Sequence, residues 1–414
     1  AEQIVLDLGH LPQLTPQPAR DRDAEAPLRP PEDLGRKEVA DRPAQDELAL
    51  ATLPLEGVAI ISADGSEGSE AFATLAATPA TSTVDTAMDW LGPDSVGKYL
   101  FTSGSTGMPK PAPQSQGQMT AQIAAREAID HPLPDHDPDD ILQNLDWMPW
   151  SHISGGNVGF NGCLALGGTF HIDEGRPMPG LFQTTMKNAA EIRPQYFGSA
   201  PIAYAMLAEA MEQDTAFRDA FFSRMKYMVY GGATLSDDLY DRIQALAIQS
   251  TGMRIPLTTM YGATETQGVT MVHWELERVG MVGVPLPGQT LKLVPCGAKM
   301  EVRVKGPMVM KGYLNLPEKN AEAFDGEGFY CLGDAVRFFD PDHPEKGLVF
   351  DGRVTEDFKL NSGTWVSVGT LRPDIVAACA PLVADAVVCG QDKPFVGALL
   401  WPSPVATQRK RSEP

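Results

Sequence analysis

Residues 99–110, which read YLFTSGSTGMPK, limit the possible folds of this chain more than any other segment. The apolar residues Tyr99–Phe101 are typical of a buried strand, and they lead directly into small hydroxyl and glycine residues. Such residues form phosphate-binding loops, because hydroxyls donate to phosphate oxygens and glycines let backbone N–H groups turn inward. A solvated Gly/Ser turn would explain the composition alone, but the string is long and specific. The predicted phosphate-binding residues are Thr102, Ser103, Gly104, Ser105, Thr106, Gly107 and Lys110.

The composition argues against several classes of function. A formal net charge of −21 disfavours binding to nucleic acid or to anionic lipid. The five cysteines are odd in number and form no CxxC pair, so neither a disulfide framework nor a zinc site is expected, and a reducing cytoplasm is the predicted compartment. No apolar run reaches the length of a membrane span, and the first residues lack a signal-peptide pattern. The predicted partners are therefore small molecules, with a homodimer left open.

The pattern of apolar residues divides the chain into four predicted regions. Residues 1–48 are rich in proline and charge, which predicts an extended arm. Residues 49–285 alternate between strand and helix patterns, which indicates an α/β sheet with helices on its faces. The predicted elements there include strands at 98–101 and 227–230 and helices at 70–77, 117–129 and 235–249. Residues 286–352 predict a small β subdomain, which includes short strands at 329–332 and 335–339. Residues 353–414 predict a hinge and a partial C-terminal α+β domain.

The segment Tyr261–Thr266, which reads YGATET, follows a predicted strand at 254–260. Ligands of open α/β sheets bind at the carboxyl ends of the strands. Glu265 could therefore hold Mg²⁺, a cation that takes oxygen ligands, while Thr264 could donate to a phosphate and Tyr261 could lie against a purine. Taken alone, the segment is better explained by a capped helix start with an exposed tyrosine.

Four further positions carry polar or flexible groups that could bind a nucleotide or an acid. Asp334 lies between two predicted strands, where its carboxylate could accept both hydroxyls of a ribose, although a Gly-Asp turn is common. Arg353 follows a predicted strand and could reach ribose or phosphate, or belong to a charged linker. His152 lies among aromatic and glycine residues, where a lone histidine is more often structural. The stretch 231–233 could let a flat substrate lie against the backbone, or form a turn that packs a helix.

The order of these motifs resembles that of the adenylate-forming acyl-CoA synthetase superfamily from about residue 50 to about residue 402. Within it, the chain looks like the feruloyl-CoA synthases, relatives of the coumarate ligases. The strings that carry this finer resemblance are DWMPWSH at 146–152, GGTFHID at 167–173, FDGEGFY at 324–330 and EDFKLNSGTWVSVG at 356–369. The resemblance implies the adenylate-forming fold, with a large N-terminal domain of layered sheets and helices, a small β subdomain, and a small C-terminal α+β domain.

The resemblance also implies an ATP-dependent acid–thiol ligase. In such enzymes ATP and a carboxylic acid, here an aryl-propenoic acid such as ferulate, give an acyl-adenylate and pyrophosphate, and coenzyme A then displaces AMP. ATP, Mg²⁺ and coenzyme A are thus implied. The implied catalytic residues are Glu265 (also the metal ligand), Thr264, Lys110 and His152. The implied ATP site adds Tyr261, Asp334 and Arg353 to the phosphate loop, the implied acyl pocket contains His152, Gly231, Gly232 and Ala233, and Gly363 and Trp365 are implied to face coenzyme A.

Several positions depart from the family pattern. Pro111 follows the loop lysine, where relatives often have a small residue, and Thr355 occupies a hinge position where they often have Asp or Lys. Nothing resembles the family's first N-terminal subdomain, and the glycine-lysine motif that holds the adenylation lysine is not found. Two alternatives therefore stay open. One is a ligase for another aryl or a medium-chain acid, and the other is a truncated nucleotide- or acyl-binding protein with little turnover.

Overall fold

The structure is a computed structural model that describes residues 4–7, 38–40, 60–62, 69–102, 109–129, 141–232, 235–274, 276, 279–297, 299–354, 356–379 and 382–402. The chain forms two compact units, residues 14–91 and residues 1–13 together with 92–414. Most of the predicted arm, residues 1–48, lies outside the described residues.

The strands and helices of the described residues are as follows in chain order. The strands are β1 (Ile4–Asp7), β2 (Glu38–Ala40), β3 (Ile60–Ser62), β4 (Glu70–Ala71), β5 (Val96–Thr102), β6 (Lys110–Ser115), β7 (Gln143–Asp146), β8 (Thr169–Ile172), β9 (Tyr196–Ser199), β10 (Tyr227–Tyr230), β11 (Leu257–Ala263), β12 (Gln267–Met271), β13 (Met281–Pro285), β14 (Thr290–Cys296), β15 (Lys299–Lys305), β16 (Tyr330–Phe338), β17 (Leu348–Arg353), β18 (Phe358–Lys359), β19 (Trp365–Val366), β20 (Val383–Cys389) and β21 (Gly397–Pro402). The helices are α1 (Phe72–Ala76), α2 (Ser82–Asp89), α3 (Gln116–Glu127), α4 (Asn161–Ala165), α5 (Phe182–Ile192), α6 (Pro201–Gln213), α7 (Thr215–Phe222), α8 (Asp237–Thr251), α9 (Pro317–Ala323) and α10 (Val368–Ala378), with a π-helix (Ser154–Phe160) before α4 and a 3₁₀ turn at Pro344–Lys346.

One twelve-stranded sheet dominates the large unit, in the order β1-β14-β15-β16-β17-β13-β12-β11-β10-β9-β7-β8. The strands from β8 to β11 pair in parallel and alternate with helices along the chain. From β11 to β1 all neighbouring strands are antiparallel. The predicted α/β architecture is therefore confirmed. The short strands predicted within residues 286–352 belong to the same hydrogen-bonded sheet as the parallel strands.

The main core lies between the parallel strands and helices α6, α7 and α8. Phe197, Tyr204 and Met228 are at most 1 % exposed, and the Tyr204 hydroxyl donates to the backbone carbonyls of Phe197 (3.0 Å) and Val229 (2.8 Å). Burial of each such side chain contributes roughly 1.5–3 kcal/mol. This packing fixes the parallel strands, at whose carboxyl ends several predicted site residues lie.

Strands β5 and β6 form a hairpin that the sequence did not predict as such. A strand at 98–101 was expected to lead through the loop into a helix at 117–129, but residues 110–115 pair antiparallel with β5 as a second strand. Lys110 is therefore the first residue of β6 and not a loop residue. Helix α3 follows at once, because Ser115 and Gln118 form a reciprocal capping box at its start.

Two predictions in the antiparallel half of the sheet were wrong in detail. Separate strands were expected at 329–332 and 335–339, but β16 is continuous, and Gly333 takes a positive φ of 72° at an irregular register beside Asp334. Only glycine adopts this conformation without strain, so the backbone turns locally without leaving the sheet. Likewise Arg353 is the last residue of β17 rather than a residue beyond it.

An ion pair and a close backbone approach are among the contacts that join the residues after β17 to the sheet. Lys299 on β15 lies 2.6 Å from an Asp357 carboxylate oxygen and donates to the backbone carbonyl of Asp351 at 2.7 Å. A Cβ added to Gly352 would lie only 2.7 Å from the Cα of Gly369. Glycine at both positions therefore allows helix α10 to lie directly against β17.

The small unit, residues 14–91, contains a three-stranded sheet in the order β2-β3-β4 with parallel pairing, followed by α1 and α2. Ile61 on its central strand is fully buried. A helix had been expected over residues 70–77, and α1 covers its central part.

Candidate active site

Lys110, Tyr313 and Glu265 form one hydrogen-bonded cluster. The Lys110 ammonium donates to the Tyr313 hydroxyl at 3.0 Å and lies 4.4 Å from the centre of its ring. The Tyr313 hydroxyl donates to Glu265 Oε1 at 2.6 Å, and the Tyr330 hydroxyl lies 3.0 Å from that of Tyr313. Two predicted catalytic residues, Lys110 and Glu265, are thus brought together by a tyrosine.

The electrostatics of this cluster leave Lys110 and Glu265 available to a ligand. Burial and the Glu265 carboxylate raise the pKa of Tyr313 well above its usual range, and the same two causes raise the pKa of Tyr330. Both phenols therefore stay protonated at neutral pH and can act only as neutral hydrogen-bonding groups. Within the described residues Lys110 forms no ion pair, so its charge is not cancelled by a carboxylate.

Glu265 is positioned by a tight turn between β11 and β12. Strand β11 runs to Ala263, three residues beyond the predicted end, and the backbone N–H of Thr266 bonds back to the Ala263 carbonyl at 3.1 Å. The segment is therefore a β-turn and not a helix start. The backbone N–H of Met310 donates to the Glu265 carbonyl at 2.8 Å, which fixes the residue from the other side.

Thr264 is linked to the hairpin by a chain of buried amides. Gln114 on β6 donates to the Thr264 carbonyl at 3.1 Å and accepts from Asn157 at 3.2 Å, while Asn157 also lies 3.2 Å from the Gln267 side-chain oxygen. These three amide side chains are at most 2 % exposed. Buried polar groups of this kind hold their neighbours in one arrangement, because breaking any bond leaves an unsatisfied group.

Asp334, Tyr261 and Arg353 form the second cluster. The Tyr261 hydroxyl donates to Asp334 Oδ2 at 2.6 Å, and Arg353 Nε lies 3.3 Å from Asp334 Oδ1. The carboxylate is 8 % exposed, and Oδ1 accepts no hydrogen bond from a described residue. Burial raises the pKa of Asp334, an effect that Tyr261 and Arg353 oppose. A carboxylate oxygen that faces a guanidinium but accepts no hydrogen bond from a described residue fits a ligand that brings hydroxyl donors, such as a ribose.

His152 begins a glycine-rich segment that follows β7 along the chain. Its ring is exposed, with Nδ1 2.5 Å from the Ser154 hydroxyl, and its carbonyl accepts from the N–H of Gly156 at 2.9 Å. The π-helix that follows packs directly on residues 146–150, because a Cβ on Gly155 would lie 2.6 Å from the Pro149 carbonyl oxygen. No described contact joins His152 to the two clusters.

The remaining predicted residues are not joined to the clusters by described contacts. Gly231 and Gly232 follow β10, and Gly232 is exposed with a φ of 78°. Gly363 and Trp365 are exposed, and the Trp365 ring is about 3.5 Å from the Cβ position of Gly297 and 4.8 Å from Lys359 Nζ. The predicted residues outside the described part of the chain are Ser103, Gly104, Ser105, Thr106, Gly107, Ala233 and Thr355.

The residues that complete the site carry no local sequence signal. Tyr313 and Tyr330 are single aromatic residues, and Gln114 and Asn157 are single amides, so their roles depend on long-range contacts. Gln114, however, lies on the same face of β6 as buried Ala112, and recognising that strand would have placed its side chain inward.

The acidic residues of the described chain could bind Mg²⁺ only if a bound ligand supplied further oxygen atoms. Within the described part of the chain, no group of three or more His, Cys, Asp or Glu residues could hold a metal ion. Mg²⁺ is often held by one or two carboxylates together with substrate phosphates. Glu265 beside Lys110 fits that arrangement.

The family model described as AMP-binding enzyme matches residues 31–314, and this chain belongs to that family. A long-chain-fatty-acid–CoA ligase of Mycobacterium bovis is 26 % identical over 347 residues, covering 74 % of this chain and 54 % of the ligase. A 3-hydroxybenzoate–CoA ligase of Aromatoleum sp. is 28 % identical over 308 residues, covering 72 % of this chain and 54 % of the ligase. The chain thus spans about half the length of these curated relatives.

The fold is shared with solved structures. ATP-bound MatB from Rhodopseudomonas palustris superposes with a TM-score of 0.66 at 23 % identity, covering 88 % of this chain and 68 % of that one. The adenylate-forming fold expected from the sequence is therefore confirmed. Among the described residues, no helix is long and apolar enough to cross a membrane.

Proposed function

We propose that this chain is an ATP-dependent acid–CoA ligase, or the larger part of one, that activates an aryl carboxylic acid through an acyl-adenylate. The observation that carries the proposal is the buried Asp334 carboxylate, whose Oδ2 accepts from Tyr261 while Oδ1 faces Arg353 at 3.3 Å and accepts no hydrogen bond from a described residue. In the AMP-binding enzyme family a site for adenosine is expected, and a carboxylate with acceptor capacity left over is suited to the hydroxyls of its ribose.

The second cluster is suited to the phosphates. Lys110 supplies a positive charge that no carboxylate of the described residues pairs with, and Glu265 supplies an oxygen ligand for Mg²⁺. When bound, Mg²⁺ neutralises phosphate charge and orients pyrophosphate as a leaving group. Lys110 contacts the β- and γ-phosphates, and the Thr264 turn holds the α-phosphate so that the acid can attack in line.

The proposed reaction has two steps. A carboxylate oxygen of the acid attacks the α-phosphorus of ATP, the bond to the bridging oxygen breaks, and pyrophosphate leaves with the acyl-adenylate formed. The coenzyme A thiolate then attacks the acyl carbon and AMP leaves, which gives the thioester. His152 and the stretch 231–233 are proposed to line the acyl pocket, and Gly363 and Trp365 to lie beside coenzyme A in the second step.

An aryl-propenoic acid such as ferulate is the proposed acid. The string at 146–152 and the string at 356–369 support this choice, and the 3-hydroxybenzoate–CoA ligase similarity supports an aryl acid more generally. The long-chain-fatty-acid–CoA ligase similarity favours an alkyl acid as the second candidate.

Pyrophosphate release by the purified chain tests the proposal. Mg²⁺-ATP is supplied with ferulate, 3-hydroxybenzoate or octanoate, with and without coenzyme A, and Asp334→Asn serves as the site variant. Acid-dependent release with a thioester product is expected, and the variant should raise the KM for ATP. ATP binding without release from any acid would instead identify a nucleotide-binding protein.

A further inference from the structure

Lys98 on β5 carries a charge that the proposed catalytic steps do not use. Side chains alternate along a strand, so Lys98, Leu100 and Thr102 point to the same face of the hairpin. Leu100 is 4 % exposed and Thr102 is half-buried, which identifies this face as the inner one. Lys98 is also paired with Gln114, whose side chain reaches the Thr264 carbonyl.

The Lys98 ammonium reaches the segment that begins at His152. Its Nζ lies 2.8 Å from the position that a Cβ on Gly156 would occupy, and the Trp150 carbonyl oxygen approaches the same position. Gly156 in turn donates its N–H to the His152 carbonyl. The absence of a side chain at position 156 therefore makes room for a cation next to the proposed acyl-binding segment.

This cation has no partner within the described structure. Lys98 is half-buried, and burial lowers its pKa, yet it takes part in no hydrogen bond or ion pair there. Lys292 and Lys299, which are also largely buried, each pair with a carboxylate. Removing an ammonium from water without compensation is unfavourable, so an anionic ligand next to Lys98 would offset the cost of its partial burial.

The surroundings of Lys98 favour a ligand carboxylate over a protein one. Its neighbours Gln114 and Asn157 are neutral amides that are bonded to one another. Asp146 faces Gly159 of the π-helix, and no carboxylate of a described residue forms an ion pair with Lys98. A bound acid would therefore meet Lys98 without competition from a carboxylate of the described residues.

We propose that Lys98 binds the carboxylate of the acid substrate and orients it between the His152 segment and Thr264. The inference rests on the proposed ligase function and adds a residue that positions the attacking oxygen. A lysine acts here as a point charge that attracts the anion without fixing two hydrogen bonds. The charge is on a rigid hairpin, so it is present in the site whether or not the residues after β17 move.

Paired ligands distinguish a contact with the carboxylate from any other role of Lys98. Binding of ferulate and of its neutral amide, ferulamide, is measured by calorimetry for the wild-type chain and for Lys98→Met. Lys98→Arg restores the charge, and Lys319→Met on the exposed surface of α9 controls for loss of one lysine. Binding of Mg²⁺-ATP is measured in parallel, and melting temperatures confirm that each variant is folded.

A charge-assisted contact predicts that Lys98→Met weakens ferulate binding about 10- to 100-fold. Ferulamide and ATP binding should change less than about twofold, and Lys98→Arg should recover most of the affinity for ferulate. Equal loss for acid and amide, or a loss for ATP instead, would overturn the inference. If Lys98→Met melts early, Lys98→Gln replaces it and the same acid-to-amide ratio decides.

The wild-type chain separates failure of this inference from failure of the proposed function. Equal wild-type affinity for ferulate and ferulamide, together with ferulate-dependent pyrophosphate release, would reject the role of Lys98 and keep the ligase. Binding of neither ligand, together with no release from any acid, would reject both.

Discussion

Replacing Asp146 with asparagine should remove a pH dependence from the stability of this chain. The Asp146 side chain is 4 % exposed, its Oδ1 accepts the Met148 N–H at 2.7 Å, and its Oδ2 lies against Gly159 of the π-helix. Burial, together with the nearby Asp173 carboxylate, raises the pKa of Asp146 to about 7, although the Met148 N–H opposes the shift. Asparagine keeps the acceptor for Met148 and cannot ionise.

The sign and size of the effect follow from the two pKa values. The unfolded chain loses this proton near 3.8 and the folded chain near 7, so between these values only the folded state holds it. The unfolding free energy therefore falls as pH rises, by about 4 kcal/mol over the whole interval. Between about pH 5.5 and about pH 8.5, a window above the pI, the expected loss is about 2 kcal/mol.

Urea unfolding followed by tryptophan fluorescence measures this loss at both pH values. The wild-type chain should lose about 2 kcal/mol more than Asp146→Asn on going to the higher pH. Asp392→Asn, a change at an exposed position, should follow the wild type. Equal pH dependence in wild type and Asp146→Asn would refute a buried carboxyl that stays protonated in the folded state.

Three further changes test the site and its supports. Glu265→Gln should keep the melting temperature within a few degrees. Because one anionic ligand is lost, it should raise the Mg²⁺ concentration needed for pyrophosphate release at least about tenfold. An unchanged Mg²⁺ requirement would contradict the role of Glu265. Lys299→Met should leave Asp357 buried without a counter-charge and destabilise the packing of the residues after β17 by roughly 3–5 kcal/mol, which limited proteolysis near residue 355 would detect. Gly156→Ala should lower the unfolding free energy by about 1–3 kcal/mol because its Cβ meets the carbonyl of residue 150, whereas Gly326→Ala, with open space around it, should not.

The sequence predicted the parallel half of the sheet well because its signals are local. Strand β10 was predicted with its observed bounds, and α8 within two residues, since Ser236 caps its start. Strand β6 was missed because Pro111 and Pro113 disfavour a strand. The hairpin tolerates both prolines because their missing N–H groups need no partner on an edge.

Site residues that belong to local motifs were predicted, whereas residues joined to the site by long-range contacts were missed. Glu265, Asp334 and Arg353 belong to motifs that can be read from neighbouring residues. Tyr313 joins Lys110 to Glu265 across 203 and 48 positions of sequence, and such a contact has no local pattern. The pairing of Tyr261 with Asp334 was not expected either, since the predicted role of Tyr261 was to lie on a purine.

The hydrogen bond between Tyr261 and Asp334 also constrains the shape of the sheet. Tyr261 lies on β11 and Asp334 on β16, and three strands separate them in the sheet order. Four spacings along a flat sheet would put these strands about 19 Å apart, yet the two side chains are hydrogen bonded. The sheet must therefore curl into a trough with β11 and β16 on opposite walls, and both clusters bridge these walls. Backbone hydrogen bonds join each strand of the trough to the next, so a nucleotide bound there would lie within one continuous sheet.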